Sequence, residues 1–177
     1  VDAIIQAWYG GQAAGDAITD ILFGDYNPAG RMPITTYMND NDLPPFEDYS
    51  MQNRTYRYFK GDVRYPFGYG LSYTRFSYEV LPHDSIIETG KEYKIQAKVT
   101  NTGDRDGDEV VQLYVRHSND NTHPIPICSL KGFDRIHLKK GESRIVSFIL
   151  TPEELALTNS DGTTVQSEGS MDIYIGG

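Results

Sequence analysis

Asp104, Asp106, Asp108 and Glu109 form the densest group of carboxylates in the sequence, and carboxylates alternating along a turn are the raw material of a calcium loop. The spacing does not complete one. Gly107 comes one place too early for the EF-hand pattern, and the distal glutamate is missing. A solvated acidic turn between two strands accounts for these residues better. His83, His117, His123 and His137 are scattered over strand ends and loops, with neither metal-ligand spacing nor a neighbouring nucleophile, so surface positions are expected. Gly10-Gly11 with Gly15 fits neither the dinucleotide nor the P-loop pattern and reads as a tight turn. Gly68-Tyr69-Gly70-Leu71-Ser72 is not a nucleophile elbow, since no glycine stands two places after Ser72. The single cysteine, Cys128, rules out an internal disulfide framework and a cysteine-built metal site, and reads as a buried apolar residue. Asn53-Arg54-Thr55 is the one glycosylation sequon.

Arg54-Thr55-Tyr56-Arg57-Tyr58-Phe59 carries more chemical content. Aromatic faces stack on sugar rings and arginine donates to hydroxyls, so carbohydrate contact is one reading. A domain–domain interface, where Tyr and Arg are equally enriched, is the favoured one. Neither supplies an acid or a nucleophile. From residue chemistry alone the chain offers no catalytic centre, no metal site and no cofactor site, and its substrate-binding residues are undefined.

The elements that position these residues divide by composition. Ten of the 13 tyrosines and the lone tryptophan fall within residues 1–80. A chain of 177 residues with 38% apolar content is long enough for one ordinary domain, or a small domain with a piece of another. Its net charge of −9, without a basic run, argues against nucleic acid or an anionic membrane as partner. The apolar runs are too short to span a bilayer. The absence of a starting Met and of a signal-like segment suggests a chain cut from something longer.

Residues 3–9 form an apolar run that suits a buried strand or a helix end. Gln12 to Phe23 places Ala14, Ala17, Ile18, Ile21 and Leu22 on one helical face, and Gly24 stands where a left-handed cap is expected. Met32 to Tyr37 reads as a short strand, and Asn39 to Tyr73 as a long aromatic-rich loop. Beyond it the pattern alternates. Tyr93, Ile95, Ala97 and Val99 point one way, and Val111, Leu113 and Val115 repeat the pattern after a turn. Further strands are expected at 76–80, 130–138, 143–150, 156–158, 163–166 and 171–175. Thr151-Pro152 starts a helix and Asn159 to Gly162 makes a hairpin turn. Short strands separated by turn signals predict an antiparallel sandwich of immunoglobulin-like type.

Several stretches, in order, resemble the C-terminal part of glycoside hydrolase family 3. Trp8 to Gln12 and Ala17 to Pro33 resemble the end of that family's α/β sandwich domain. Tyr65-Pro66-Phe67-Gly68-Tyr69-Gly70-Leu71-Ser72-Tyr73-Thr74 is similar to the signature before its last domain. Val99 to Gly103, Gly107 to Val115 and Leu130 to Phe133 are similar to its fibronectin type III-like domain. Gly10, where the family commonly has Pro, and Ala13-Ala14, in place of a common Glu-Gly pair, depart from the pattern. Arg54 to Phe59 looks more like the β-xylosidase branch than the β-glucosidase branch.

The resemblance implies a mainly β chain: a fibronectin type III-like antiparallel sandwich over 79–177, an aromatic-rich connecting loop over 39–78, and the C-terminal remnant of an α/β domain over 1–38. It implies the non-catalytic part of a retaining exo-acting β-glucosidase or β-xylosidase, without cofactor. The partners implied are the upstream catalytic domains of the same polypeptide and a β-linked oligosaccharide, in a periplasmic or secreted setting. The family's nucleophile and acid/base match no position here, so no catalytic residue is carried over and the isolated chain is expected to be inactive. Two other classes fit a sandwich of this kind: a carbohydrate-binding module, and a cell-surface interaction module.

Overall fold

The computed structural model describes residues 2–118, 125–159, 161–166 and 168–177. His123 and Ser160 of the expected hairpin lie outside the described residues. Two three-stranded antiparallel sheets make the sandwich. One has the order β3 (Phe76–Val80), β4 (Tyr93–Asn101), β7 (Ser143–Leu150). The other has the order β10 (Met171–Gly176), β5 (Gly107–His117), β6 (Ser129–Leu138).

Alternation along the strands makes the core. On β4, Tyr93, Ile95, Ala97 and Val99 are buried while Lys94 and Lys98 face solvent. Facing them across the sheets are Val111, Leu113 and Val115 of β5 and Ile136 and Leu138 of β6. Val146 and Leu150 of β7 complete the two adjoining clusters. Each fully buried Leu or Val stabilises the fold by about 1.5–3 kcal/mol relative to exposure. The short helix α3 (Pro152–Leu155) closes one end of the sandwich. Thr151 Oγ1 accepts from Glu154 N, Glu154 Oε2 accepts from Thr151 N, and this reciprocal cap lets Leu155 seat in the core. Two short strands, β8 (Leu157–Thr158) and β9 (Thr164–Val165), pair beyond it.

Strand β5 is buried on both faces. Gln112, on the face opposite Leu113, is only 5% exposed. Its cover comes from residues 39–73, which the sequence reads as a single loop. The structure instead finds a 3₁₀ turn (Asp40–Asp42), helix α2 (Thr55–Tyr58) and strand β2 (Val63–Tyr65), which pairs with β1 (Thr36–Tyr37). The strand expected over Met32–Tyr37 shrinks to β1, because only two residues there find partners in β2. These elements are too short to show a period.

Helix α1 (Ala14–Phe23) begins two residues later than its pattern and ends at Gly24, in the left-handed conformation with φ 81°. None of its residues is buried; Leu22 faces solvent although its spacing marks a core face, and Phe23 beside it is exposed too. The expected element at Ala3–Tyr9 does not form, and Ile4, Ile5, Trp8 and Tyr9 are exposed. An isolated strand has nothing to bond to, and within this chain no described strand lies alongside it.

Core and surface positions predict opposite outcomes. Leu138→Ala is expected to cost about 2–5 kcal/mol in urea unfolding. Ile149→Ala, at a side chain 56% exposed, is expected to stay within about 0.5 kcal/mol of the parent chain. Similar losses from the two would contradict the inward and outward assignment.

Candidate functional site

The distinctive arrangement is a polar junction fastening residues 21–31 to one end of the sandwich. At the end of helix α1, Ile21 O accepts the N–H of the Gly24 cap, and the segment before β3 and the β4–β5 connection add side-chain donors there. Tyr73 Oη donates to Ile21 O at 2.8 Å, and Arg105 Nη1 reaches Gly24 O at 3.4 Å. The Arg105 guanidinium also lies 5.9 Å from the centroid of the Tyr73 ring. A cation at a helix C-terminus complements the partial negative charge there. In the turn that follows, Asn27 Oδ1 accepts from Ser72 Oγ at 2.9 Å and from Tyr73 N at 2.8 Å. Its Nδ2 donates to Asp106 O at 3.0 Å. One amide thus joins the turn, the segment before β3 and the β4–β5 connection.

Arg31 reaches deepest. Its Nη2 lies 2.9 Å from Glu109 Oε2, and Nη1 donates to Ala29 O and Gly30 O, each at 3.3 Å. Tyr78 Oη donates to Glu109 Oε1 at 2.6 Å. Glu109 is 2% exposed, so the expected solvated acidic turn is corrected at this residue: its carboxylate points inward. A buried carboxylate is tolerated when it is paired and hydrogen-bonded, and here both oxygens have donors. Burial, followed by the hydrogen bond to Glu109 and its charge, pushes the Tyr78 phenol well above its ordinary value and keeps it a donor. Arg31 Nε is buried with no partner among the described residues.

The other carboxylates of the cluster scatter instead of converging. Asp104 pairs with Lys140 at 2.8 Å, and Asp106 Oδ1 accepts from Lys140 N. Asp108 takes Arg135 at 2.6 Å and His137 Nδ1 at 2.7 Å, and Arg135 continues to Tyr26 Oη. Among the described residues no three His, Cys, Asp or Glu come together to hold a metal ion. Partial burial raises the Asp108 pKa, but the His137 and Arg135 hydrogen bonds outweigh it and hold the carboxyl below its ordinary value. His117 is half-buried rather than a surface residue, and burial lowers its pKa. Cys128 is half-buried and not part of the core; burial raises its thiol.

The Arg54–Phe59 stretch is spent on internal packing. The Tyr56 ring stacks on Phe67 at 4.2 Å and meets Tyr114 edge-on at 6.2 Å. Its hydroxyl accepts from Leu130 N on β6. Phe59 meets Tyr37 edge-on at 4.6 Å, and Arg54 turns back onto the carbonyls of Pro45, Asp48 and Ser50. The interface reading of this stretch fits these contacts. Thr55 sits at φ 57°, a strained conformation for a β-branched residue, where its N–H bonds Tyr37 Oη. Gly68, at φ 81°, passes so close to β5 that an added Cβ would lie 2.3 Å from Gln112 Oε1. Nothing in the sequence pairs Arg31 with Glu109, which are 78 positions apart. The signal that could have found them is the position of Glu109 on the same face of its strand as Val111, Leu113 and Val115.

Removing one member of the buried pair leaves the other uncompensated. Glu109→Ala is expected to destabilise by about 3–5 kcal/mol, and adding Arg31→Met to it should recover part of that loss. A double variant less stable than Glu109→Ala would show that the two side chains do not answer each other. Asp108 yields a pH signature. Its lowered folded pKa means that its contribution is complete above the unfolded value of about 3.9 and is lost as pH falls through the folded value. The stability gap between the parent and Asp108→Asn should therefore close on acidification below pH about 4, and a gap independent of pH would refute the pairing.

Residues 1–73 match the glycosyl hydrolase family 3 C-terminal domain, and residues 109–177 match a fibronectin type III-like domain. A xylan 1,4-β-xylosidase of Xylanibacter ruminicola is 45% identical over 99% of this chain and 20% of its own length. A periplasmic β-glucosidase of Salmonella typhimurium is 35% identical over 99% of this chain and 24% of its own length. Among solved structures, the family 3 β-glucosidase of Bifidobacterium adolescentis superposes with a TM-score of 0.85 at 31% identity, over 97% of this chain and 27% of that one. The β-glucosidase of Kluyveromyces marxianus gives 0.84 at 32% identity, over 96% and 22%. The chain spans about a fifth to a quarter of the length of the curated relatives it matches.

Proposed function

Because this chain belongs to glycoside hydrolase family 3, we propose that it is the C-terminal, non-catalytic part of a retaining exo-acting β-glycosidase of β-glucosidase or β-xylosidase type. Retention calls for a carboxylate nucleophile and a carboxylic acid about 5–5.5 Å apart. Both come from domains upstream of Trp8. The role left to this chain is to stabilise those domains and hold them in place. The observation that carries this reading is the junction of Arg31, Asn27 and Tyr73 with Glu109, Asp106 and Ile21, which ties the sandwich to the segment leading out of the α/β domain.

The distribution of exposed apolar side chains supports the same reading. Ile4, Trp8, Phe23, Phe46 and Tyr49 are open to solvent in this chain, Phe23 to 80%. Such a surface suits contact with the rest of a larger enzyme. In this reading residues 1–38 end the α/β domain, residues 39–78 connect it, and residues 79–177 are the sandwich. The greater identity to a xylosidase, together with Arg54 to Phe59, favours a β-linked xyloside over a glucoside as substrate. No helix among the described residues is long and apolar enough to cross a membrane. A periplasmic or secreted location is supported by the name of one relative. The net charge of −9 leaves no role for nucleic acid in this reading.

The test is hydrolysis of aryl β-xyloside and aryl β-glucoside by the full-length enzyme. The expected outcome is turnover, faster on the xyloside; activity on neither would overturn the reading. Removing residues 81–177 from that enzyme should lower its melting temperature, and an unchanged value would refute the stabilising role.

A further inference from the structure

The outer face of the β10–β5–β6 sheet carries a pattern that the junction does not use. The register sets Tyr174 opposite Tyr114, and Asp172 opposite Arg116. Alternate residues share a face, so an aromatic rung and a charged rung lie side by side on the surface away from Leu113 and Val115. Side chains opposite one another in an antiparallel pair have Cβ atoms about 4.5–5.5 Å apart. Tyr174 is 49% exposed, and Arg116 and Asp172 are exposed as well. Tyr114 is half-buried beneath the edge of Tyr56. Among the described residues Tyr174 stacks on no other aromatic ring. Beside this face runs an open cleft of about 650 Å³ between the sheet and residues 55–69, lined by Tyr174 and Arg116 on one wall and by Phe59, Phe67 and Tyr69 on the other.

We propose that this cleft is an accessory saccharide-binding site, taking a short β-linked oligosaccharide of neutral pyranoses. Pyranose rings with equatorial hydroxyls present flat C–H faces, and the open ring of Tyr174 offers the apolar surface on which such a face packs. Vicinal hydroxyls both donate and accept. Arg116, in the cleft wall, supplies donors only; Asp172, opposite it on β10 and just outside the cleft lining, supplies acceptors only and already takes the Tyr174 hydroxyl at 3.5 Å, so the two meet both needs at the rim. The same pair argues against an anionic ligand, since the Asp172 carboxylate offsets the Arg116 charge. The cleft falls within the range of about 300–1,000 Å³ usual for small-ligand sites. The choice of β-linkage rests on the glycosidase reading above; the binding surface itself does not.

The experiment is a titration of the ¹⁵N-labelled chain with xylotetraose and with cellotetraose, followed by amide shifts. The expected result is movement confined to residues around 112–116, 127–128 and 172–176 with at least one of the two sugars. Tyr174→Ala should weaken binding by about tenfold, and Arg116→Ala, which leaves the aromatic rung in place, should weaken it independently. Both positions are exposed, so the core resonances should stay unmoved in either variant. No shift with either sugar overturns the site, as does undiminished binding in both variants. That failure is separate from a failure of aryl glycoside hydrolysis, which is read on the full-length enzyme.

Discussion

The Glu109 carboxylate governs the arrangement of this molecule. It lies inside the sandwich at a position where alternation would otherwise place an apolar side chain, and it is kept there by Arg31 from outside the sandwich and Tyr78 from β3. A lone buried charge is costly, so the fold that accepts Glu109 must also bring Arg31 to it. That requirement fixes where the turn at residues 24–31 sits, and with it the end of α1. The carboxylate therefore acts less as a source of stability than as a specification of geometry.

Around this pair the junction is built from directional contacts more than from buried area. Asn27 uses both ends of its amide on two different segments, and Tyr73 and Arg105 satisfy carbonyls at the C-terminus of α1. Hydrogen bonds of this kind contribute modestly each, about 0.5–1.5 kcal/mol, but they lose strength quickly when misaligned. A joint made of them resists rotation. That property suits the role proposed for this chain, holding catalytic domains in register. The sandwich needs none of these bonds for its own core, which is closed by the facing rows of β4, β5, β6 and β7.

The aromatic segment between the two parts shows how one residue set serves packing and leaves a surface over. Tyr56 and Phe67 spend their faces on each other, and the backbone around Gly68 comes close enough to cover Gln112. Tyr174 is left with an open ring beside the cleft they wall. Packing used the inner aromatics and left the rim free for contact with a ligand.

The strands of the sandwich, the cap at Gly24 and the helix start at Thr151-Pro152 were legible from the residues alone. Each depends on neighbours within a few positions: a period of two, a left-handed glycine, a reciprocal cap. The family, too, was legible in the order of short motifs from Trp8 to Phe133. What pattern could not supply were interactions between distant residues. The apolar run holding Ile4 and Trp8 and the helical face holding Leu22 read as buried, yet a face becomes core only when something covers it. The acidic cluster read as one solvated turn, while the fold sends Glu109 inward to Arg31 and Asp108 sideways to Arg135 and His137. Sequence spacing fixes which way a side chain leaves its own strand. Only the tertiary structure decides what waits there, because partners 78 positions apart meet through the topology of the sheets and not through any local rule.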